Sequence, residues 1–251
     1  MNIKDKLYVA TIAEDAKIMA EKFGIGIEVN EFCTAINMEI DFEKWNKIAK
    51  ANMSVAKRHI FHAPFNEILP SAIDPKIRKI GMDRLNQAFE LAQSYGINQM
   101  VVHSGNIPDI YFPEWFLDRS VEFWNEFMEN KPADFQIFIE NQLEKEAYLL
   151  PKLCERLNHP QISLCLDIGH AIYCSDEDIY SWVDAFAPYT KHIHLHTNDK
   201  SWDLHWCLDK GCVDMESFVP YFLEKIPNST ITLENLRVED SLLWLKERGY
   251  L

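Results

Sequence analysis

Residues 162–196, ISLCLDIGHAIYCSDEDIYSWVDAFAPYTKHIHLH, contain a strand, a helix and a second strand in succession. The apolar run over 162–170 predicts a buried strand, and so does the run over 190–196. Between them, the apolar residues of 178–189 recur at helical spacing. Neighbouring parallel strands need a crossover of this kind, so the stretch favours a parallel sheet covered by helices.

The same alternation continues in both directions along the chain. Predicted strands lie at 7–12, 24–32, 59–64, 97–105, 136–141, 162–170, 190–196 and 230–235. Predicted helices follow them at 13–23, 41–52, 74–96, 113–131, 146–158, 178–189, 215–226 and 238–250. In the third helix, Asp74 is expected to cap the first turn and Gly96 to end the last one.

Eight strand–helix units in 251 residues predict an α/β fold, a single (β/α)8 TIM barrel over residues 1–251. The alternative fold is an open, doubly wound sheet. That fold is less well supported, because no glycine-rich phosphate loop follows the first strand.

The composition excludes several classes of partner. The formal net charge is −14 and no basic run of five residues occurs, so the surface is expected to repel nucleic acid and anionic membrane. No apolar run reaches the roughly 18 residues of a membrane span, and no signal-type segment follows the first residues. We therefore expect a cytoplasmic protein. The six cysteines form no CxxC pair and are expected to be reduced; a metal-ligand role for Cys207 or Cys212 is the less favoured alternative, because their spacing matches no zinc pattern.

Candidate site residues lie where the predicted strands end. In a TIM barrel the carboxyl ends of all strands meet on one face, where active sites are found. Six strands bring a histidine or an acidic residue there: His62, His103, Glu140, Asp167, His194 and Glu234. Three further candidates lie in the adjoining loops: His170, Asp203 and His205.

The convergence of these side chains indicates a metal site, which none of them would indicate alone. A lone carboxylate at a strand end is more often a helix cap than a ligand. Six carboxylates and imidazoles packed at one point would repel each other and lose hydration without a cation between them. Mixed nitrogen and oxygen ligands favour Zn²⁺ or Mn²⁺, and the set could hold one to three ions.

The histidines of the seventh strand differ in depth. His192, His194 and His196 alternate, so their side chains share one face. We expect His194 to be the ligand and His192, one layer deeper, to be structural. For His196, substrate contact and a solvated side chain are equally open. Four aromatic residues are candidates for stacking against a sugar: Phe61, Phe65, Trp202 and Trp206.

A family resemblance covers nearly the whole chain. It is carried by FHAPF, VVHSG, IEN, LDIGHA, HIHLHTND, DLH and TLEN, in that order. This ordered set resembles the xylose isomerase-like barrel superfamily, in particular its sugar phosphate isomerase/epimerase group, which is related to endonuclease IV.

The resemblance implies two activities. The first is isomerisation or epimerisation of a small sugar or sugar derivative on a divalent metal. Its four metal ligands correspond to Glu140, Asp167, His194 and Glu234. Glu140 and Glu234 would also move the proton, while His170, His196 and Trp202 would contact the substrate.

The alternative is phosphodiester hydrolysis of the endonuclease IV type, which uses three zinc ions. All nine ligands of that pattern have counterparts: His62, His103, Glu140, Asp167, His170, His194, Asp203, His205 and Glu234. A barrel that binds a metabolite without catalysis is the third hypothesis, and the complete ligand set argues against it. Whether the protein forms a homo-oligomer is left open.

Overall fold

Eight short parallel strands surround the axis of the computed structural model, which describes residues 2–251. The strands β1 to β8 are Leu7–Ala10, Gly26–Val29, His59–His62, Gln99–His103, Gln136–Glu140, Ile162–Asp167, Thr190–Leu195 and Thr230–Leu233. The helices α1 to α9 are Ala16–Phe23, Phe42–Met53, Pro75–Ser94, Pro113–Met128, Leu149–Leu157, Ile168–Cys174, Ile179–Phe186, Met215–Lys225 and Glu239–Glu247. Short 3-10 helices lie at Lys4–Lys6 and Ala35–Met38.

The sheet closes on itself in chain order. Strand β1 pairs with β2, where Tyr8 lies opposite Gly26, and also with β8, where Leu7 lies opposite Ile231. Every strand therefore has a neighbour on both sides. The predicted (β/α)8 barrel is confirmed, and the open sheet is excluded.

The apolar interior has two parts. One large layer lies between the strands and the surrounding helices. A small cluster fills the barrel itself: Tyr8, Ile60, Val101, Phe138 and Cys165. A Cβ on Gly26 would lie 2.3 Å from the Tyr8 ring, so only glycine fits at that point of β2. The buried polar side chains of Glu28, His192 and Thr232 contact one another inside the barrel, beside this cluster.

The predicted ends of the third helix are confirmed. The Asp74 side chain accepts a hydrogen bond of 2.8 Å from the backbone N–H of Lys76. The helix ends at Ser94, and Gly96 follows with a φ of 72°. Left-handed backbone of this kind is accessible to glycine at no steric cost.

The sixth strand is shorter than predicted. It ends at Asp167 rather than at residue 170, and helix α6 begins at once. The Asp167 side chain starts this helix by accepting a hydrogen bond of 2.6 Å from the backbone N–H of His170. His170 consequently lies in the first turn of a helix, on the rim of the barrel. Among residues 2–251, no helix is both long and apolar enough to cross a membrane.

Candidate metal centre

The nine residues expected to bind metal converge at the carboxyl end of the barrel. A cavity of about 260 Å³ opens there, and its wall includes seven of them: His62, His103, Glu140, His170, Asp203, His205 and Glu234. Asp167 and His194 lie just beneath and are fully buried. Neither lysine nor arginine occurs among the residues that line this cavity in the described part of the chain. The nine residues separate into three groups, described below.

The first group comes from β3, β4 and β5. The Nε2 atoms of His62 and His103 lie 3.4 and 3.2 Å from Oε2 of Glu140. The other ring nitrogen of His62, Nδ1, is 2.8 Å from the backbone oxygen of Ala63, so Nε2 is left to face the carboxylate. Phe65 stacks on His103 with its ring centroid at 4.4 Å and fixes that imidazole from the side.

The second group is central and comes from β5 to β8. Nδ1 of His194 lies 3.3 Å from Oε1 of Glu140, 3.5 Å from Oδ2 of Asp167 and 3.3 Å from Oε2 of Glu234. One atom from each of the four residues falls within 4.8 Å of the others. These are the four residues that the sequence assigns to a single metal.

The third group lies at the mouth of the barrel, on α6 and the loop after β7. Oδ2 of Asp203 is 3.3 Å from Nε2 of His170 and 3.0 Å from Nε2 of His205. Both imidazoles are held from behind by backbone oxygens, those of Asn141 at 2.9 Å and Glu234 at 2.6 Å. His205 has a φ of 48°, a strained conformation for a residue with a side chain, and such strain is typical of functional positions.

Glu140 belongs to two groups at once. Its Oε2 faces the histidines of the first group, and its Oε1 faces His170 and His194. The side chain is fully buried, yet neither oxygen has a hydrogen-bond donor. A buried carboxylate without a donor carries a large desolvation cost, which a cation on each side would remove.

The spacing of the polar atoms fits divalent ions. Zn²⁺ is bound at roughly 2.0–2.1 Å by nitrogen and oxygen ligands in a tetrahedron, which sets neighbouring ligand atoms about 3.3 Å apart. The separations in all three groups lie between 3.0 and 3.5 Å. In addition, Nδ1 of His194 and Oδ1 of Asp203 are buried without a hydrogen-bond partner. The residues therefore fit a divalent metal.

The electrostatics of the site lead to the same conclusion. Burial acts to raise the pKa of Asp167, but His170 and His196 beside it hold that pKa well below its usual range. Burial acts to lower the pKa of His205, but Asp203 and Glu234 raise it to about 9. The Asp167 carboxylate is thus held in its ionised form and the His205 imidazole in its protonated form, and a bound cation would replace that proton.

His196 has a different position from the one expected. It is 0% exposed, and its Nε2 lies 3.1 Å from both oxygens of Asp167. A Cβ on Gly169 would lie 1.8 Å from the His196 ring, so this glycine makes room for it. The solvated interpretation is therefore wrong. His196 contacts Asp167, stacks on His205 with ring centroids 4.2 Å apart, and is not part of the cavity lining.

The aromatic candidates lie in four different environments. Phe65 lines the cavity, whereas Phe61 is fully buried in the core and cannot meet a substrate. Trp202 is 63% exposed and packs against Tyr173 at 5.7 Å between ring centroids, outside the cavity lining. Trp206 pairs with Thr197 in an isolated antiparallel bridge.

Sequence reasoning missed Glu28, a fully buried carboxylate in the middle of β2. Its oxygens lie 3.1 Å from Nε2 of His192 and 3.1 Å from Nε2 of His194. The expectation that His192 is structural and lies deeper than His194 agrees with this contact. An acidic residue between Ile27 and Val29 in an otherwise apolar strand was the available signal.

Comparisons with known proteins agree with this architecture. The sequence profile of a family described as "Xylose isomerase-like TIM barrel" matches residues 26–248. The uncharacterized protein MJ1614 of Methanocaldococcus jannaschii is 24% identical over 204 residues, which are 78% of this chain and 79% of that protein.

Solved structures with the same fold include proteins of different stated activity. The TTHB071 protein from Thermus thermophilus, soaked with ZnCl2, has a TM-score of 0.78 and 24% identity, and the match covers 97% of this chain and 98% of that one. A D-tagatose 3-epimerase-like protein has a TM-score of 0.74 and 20% identity, with 96% of each chain covered. An AP endonuclease, family 2, from Brucella melitensis has a TM-score of 0.69 and 15% identity, with 96% and 98% covered.

Proposed function

Because this chain belongs to the xylose isomerase-like TIM barrel family, we propose that it is an enzyme with several divalent metal ions that hydrolyses a small, sugar-derived phosphate ester. The observation that carries the proposal is the position of Glu140 between two groups of ligands. A carboxylate whose two oxygens face separate groups is suited to bridge two ions. Asp203, with a histidine on either side, supports a further ion at the mouth of the barrel.

The charge of the site supports more than one ion. Five carboxylates lie in or directly beneath it: Glu28, Glu140, Asp167, Asp203 and Glu234. With neutral histidines, a single divalent ion would leave three negative charges, and such a site would repel a phosphate. Three divalent ions would leave one positive charge. Since neither lysine nor arginine lines the cavity within the described residues, attraction of an anionic substrate to the metal-loaded site depends on that surplus.

The chemistry that bound divalent ions supply is Lewis acidity toward the phosphoryl group and acidification of a water molecule. The residues of the chain then have separate tasks. Glu140 holds the first and central groups at a fixed separation, and the buried Asp167 and His194 form the floor. Asp203 and His205, each about one-fifth exposed, lie where the substrate would enter.

Sugar isomerisation or epimerisation is the second candidate function. The central group with its two glutamates favours it, and so does the fold shared with a D-tagatose 3-epimerase-like protein. In that reaction Glu140 would have to move a proton to and from a substrate carbon. Its side chain is only 1% exposed and both of its oxygens face imidazoles. This arrangement suits a bridging ligand better than a proton shuttle, so we rank hydrolysis first.

Metal content and turnover together test the proposal. Protein loaded with Zn²⁺ or Mn²⁺ and freed of excess ion is expected to retain three ions per chain and to hydrolyse small phosphate esters. Asp203→Asn should bind one ion fewer, and its kcat should fall at least about 100-fold, because removing a member of a metal centre has effects of that order. The matched control is Asp199→Asn in the same loop, where the carboxylate is exposed and contacts only Ser201.

Two outcomes would reject hydrolysis. One ion per chain, with sugar turnover that incorporates solvent deuterium at carbon, would establish the isomerase instead. Fully loaded protein that turns over neither phosphate esters nor sugars would indicate a barrel that only binds its ligand.

A further inference from the structure

A buried polar chain continues below the central metal group. Glu28 on β2 is fully buried at the middle of the barrel and has no lysine or arginine paired with it in the described residues. Its Oε2 accepts a hydrogen bond of 2.6 Å from the Thr232 hydroxyl and lies 3.1 Å from Nε2 of His192. Its Oε1 lies 3.1 Å from Nε2 of His194.

The contact with His194 joins two atoms that are otherwise unpaired. Oε1 of Glu28 and Nε2 of His194 lie 3.1 Å apart without the alignment of a full hydrogen bond, and within the described chain neither atom hydrogen-bonds to another group. A neutral imidazole has one N–H and one lone pair, and a carboxylate can only accept. When a cation is bound at Nδ1, the proton of a neutral His194 belongs on Nε2, facing Glu28.

Nδ1 is the atom that faces the three carboxylates of the central group, at 3.3 to 3.5 Å. A lone pair among three carboxylates is useful only if a cation lies between them. The opposite tautomer would direct the lone pair at Glu28, where two acceptors would meet without a proton.

We propose that Glu28 is a positioning residue that holds His194 in the tautomer required for metal binding and strengthens Nδ1 as a donor. The inference rests on the proposed metal centre and not on the reaction that the centre performs. Thr232 and His192 occupy the second oxygen of Glu28 and so direct Oε1 at His194. His192 is itself fixed, since its ring stacks on Phe138 with centroids 5.3 Å apart and its Nδ1 lies 2.7 Å from the Thr230 hydroxyl.

Metal titration of Glu28→Gln tests this role. The glutamine amide has no charge, and it can place an N–H donor opposite Nε2 of His194, where the proposed tautomer needs an acceptor. The affinity of the ions is measured in competition with a chelator. We expect the most weakly bound ion to bind about 10- to 100-fold less tightly than in wild type, which is the usual effect of losing a hydrogen-bonding partner of a metal ligand. At saturating metal the number of ions per chain should stay unchanged.

Three further measurements separate positioning from other roles. The d–d absorption of Co²⁺-loaded protein should shift in Glu28→Gln, and nitrogen NMR of the Zn²⁺-loaded wild type should show the His194 proton on Nε2. Thr232→Val, which removes one hydrogen bond from Glu28 and keeps its charge, should weaken binding by less. Glu31→Gln is the matched control, because Glu31 is also buried near the end of β2 but bonds to Thr11 and Asn52.

The possible outcomes differ clearly. Loss of an ion at saturating metal would make Glu28 a ligand and overturn the positioning role. Unchanged metal affinity in a folded Glu28→Gln protein would also overturn it, as would a His194 proton on Nδ1. If Glu28→Gln fails to fold, unchanged affinity in Thr232→Val would decide against the proposal. Failure to find phosphate ester hydrolysis would leave all of these measurements unaffected.

Discussion

Gly169 shows how closely the side chains are packed around Asp167. Its missing side chain leaves room for His196, which contacts Asp167. We expect Gly169→Ala to destabilise the protein by about 1–3 kcal/mol, as overpacking of a core does. It should also weaken metal binding, because His196 would be pushed away from Asp167.

Gly81 in α3 provides the matched control. A Cβ there would meet its nearest neighbour, Ile68, at an ordinary 3.7 Å. Gly81→Ala should therefore stabilise the protein by about 0.5–1 kcal/mol, the usual gain from alanine in a helix. Chemical unfolding of both variants measures the two effects. A Gly169→Ala protein with wild-type stability and metal content would contradict our account of His196.

At the scale of single residues, the sequence predicted which side chains come together but not what each does. Residues at strand ends could be found because a strand has a direction and a barrel has one catalytic face. His196 was uncertain because alternation along β7 determines its face and not its depth. Glu28 was missed because its partners His194 and Thr232 lie far away in the chain, on β7 and β8.

At the scale of elements, a buried acid joins the loops after β4 and β5. Glu144 accepts hydrogen bonds from the Ser104 hydroxyl at 2.5 Å and from the backbone N–H of Gln142 at 2.7 Å. Burial raises the pKa of Glu144 above its ordinary value of 4.5, and its hydrogen bonds only partly oppose this.

The sign of the pH effect follows from that shift. A group whose pKa is raised by folding contributes most to stability below its unfolded-state pKa, and the contribution is lost as pH rises through the folded-state pKa. Glutamine does not titrate. Glu144→Gln should therefore gain thermal stability over wild type at pH 8 by a few degrees, and the gain should shrink toward pH 4. Glu146→Gln, an exposed site in the same loop, should show no such trend. A constant difference across this pH range would refute the argument.

Helix α6 shows why element ends are harder to predict than elements. The apolar run ISLCLDIGH reads as one strand, because nothing in the spacing of its residues marks Asp167 as a turning point. In the folded chain, Asp167 serves both as a candidate ligand and as the cap of α6. A helix start inside an apolar run cannot be predicted from the spacing of the residues, and it is identified only from the capping hydrogen bond in the structure.

At the scale of the whole molecule, removal of metal should lower stability. Buried carboxylates that lose their cations must be balanced by protons on the histidines. A ligand present at 100 times its Kd stabilises the folded state by about 2.7 kcal/mol, which corresponds to roughly 5–10 °C in Tm for a chain of this size. We expect a chelator to lower Tm by at least this amount and added Zn²⁺ or Mn²⁺ to restore it. A melting temperature unaffected by chelator would argue against a metal centre in the purified protein.

The surface charge leads to a separate prediction about nucleic acid. The net charge is −14, and neither lysine nor arginine lines the cavity in the part of the chain that the structure describes. Three divalent ions would not reverse a charge of this size. Proteins that bind duplex DNA gain affinity by replacing counterions with lysine and arginine. We expect weak binding to an abasic-site duplex at physiological salt and no efficient cleavage. Rapid metal-dependent nicking that Asp203→Asn abolishes would show that a nucleic acid is the substrate.

The barrel as a whole was the most predictable feature, because eight repeats of one pattern support each other. The closure of β1 onto β8 follows from the number of units and from no single residue. The size of the cavity and the separation of the candidate ligands into three groups could not be predicted. Both depend on the directions in which the side chains point at the carboxyl end of the barrel.

The sequential order of the strands has a consequence for the newly synthesised chain. The first ligand group is complete once residue 140 has been made, and the group at the mouth once residue 205 has been made. The central group lacks Glu234 until β8 emerges, and β8 is also the strand that joins β7 to β1. Binding of the proposed central ion would therefore have to wait for β8, and a chain truncated before Glu234 would lack the complete centre.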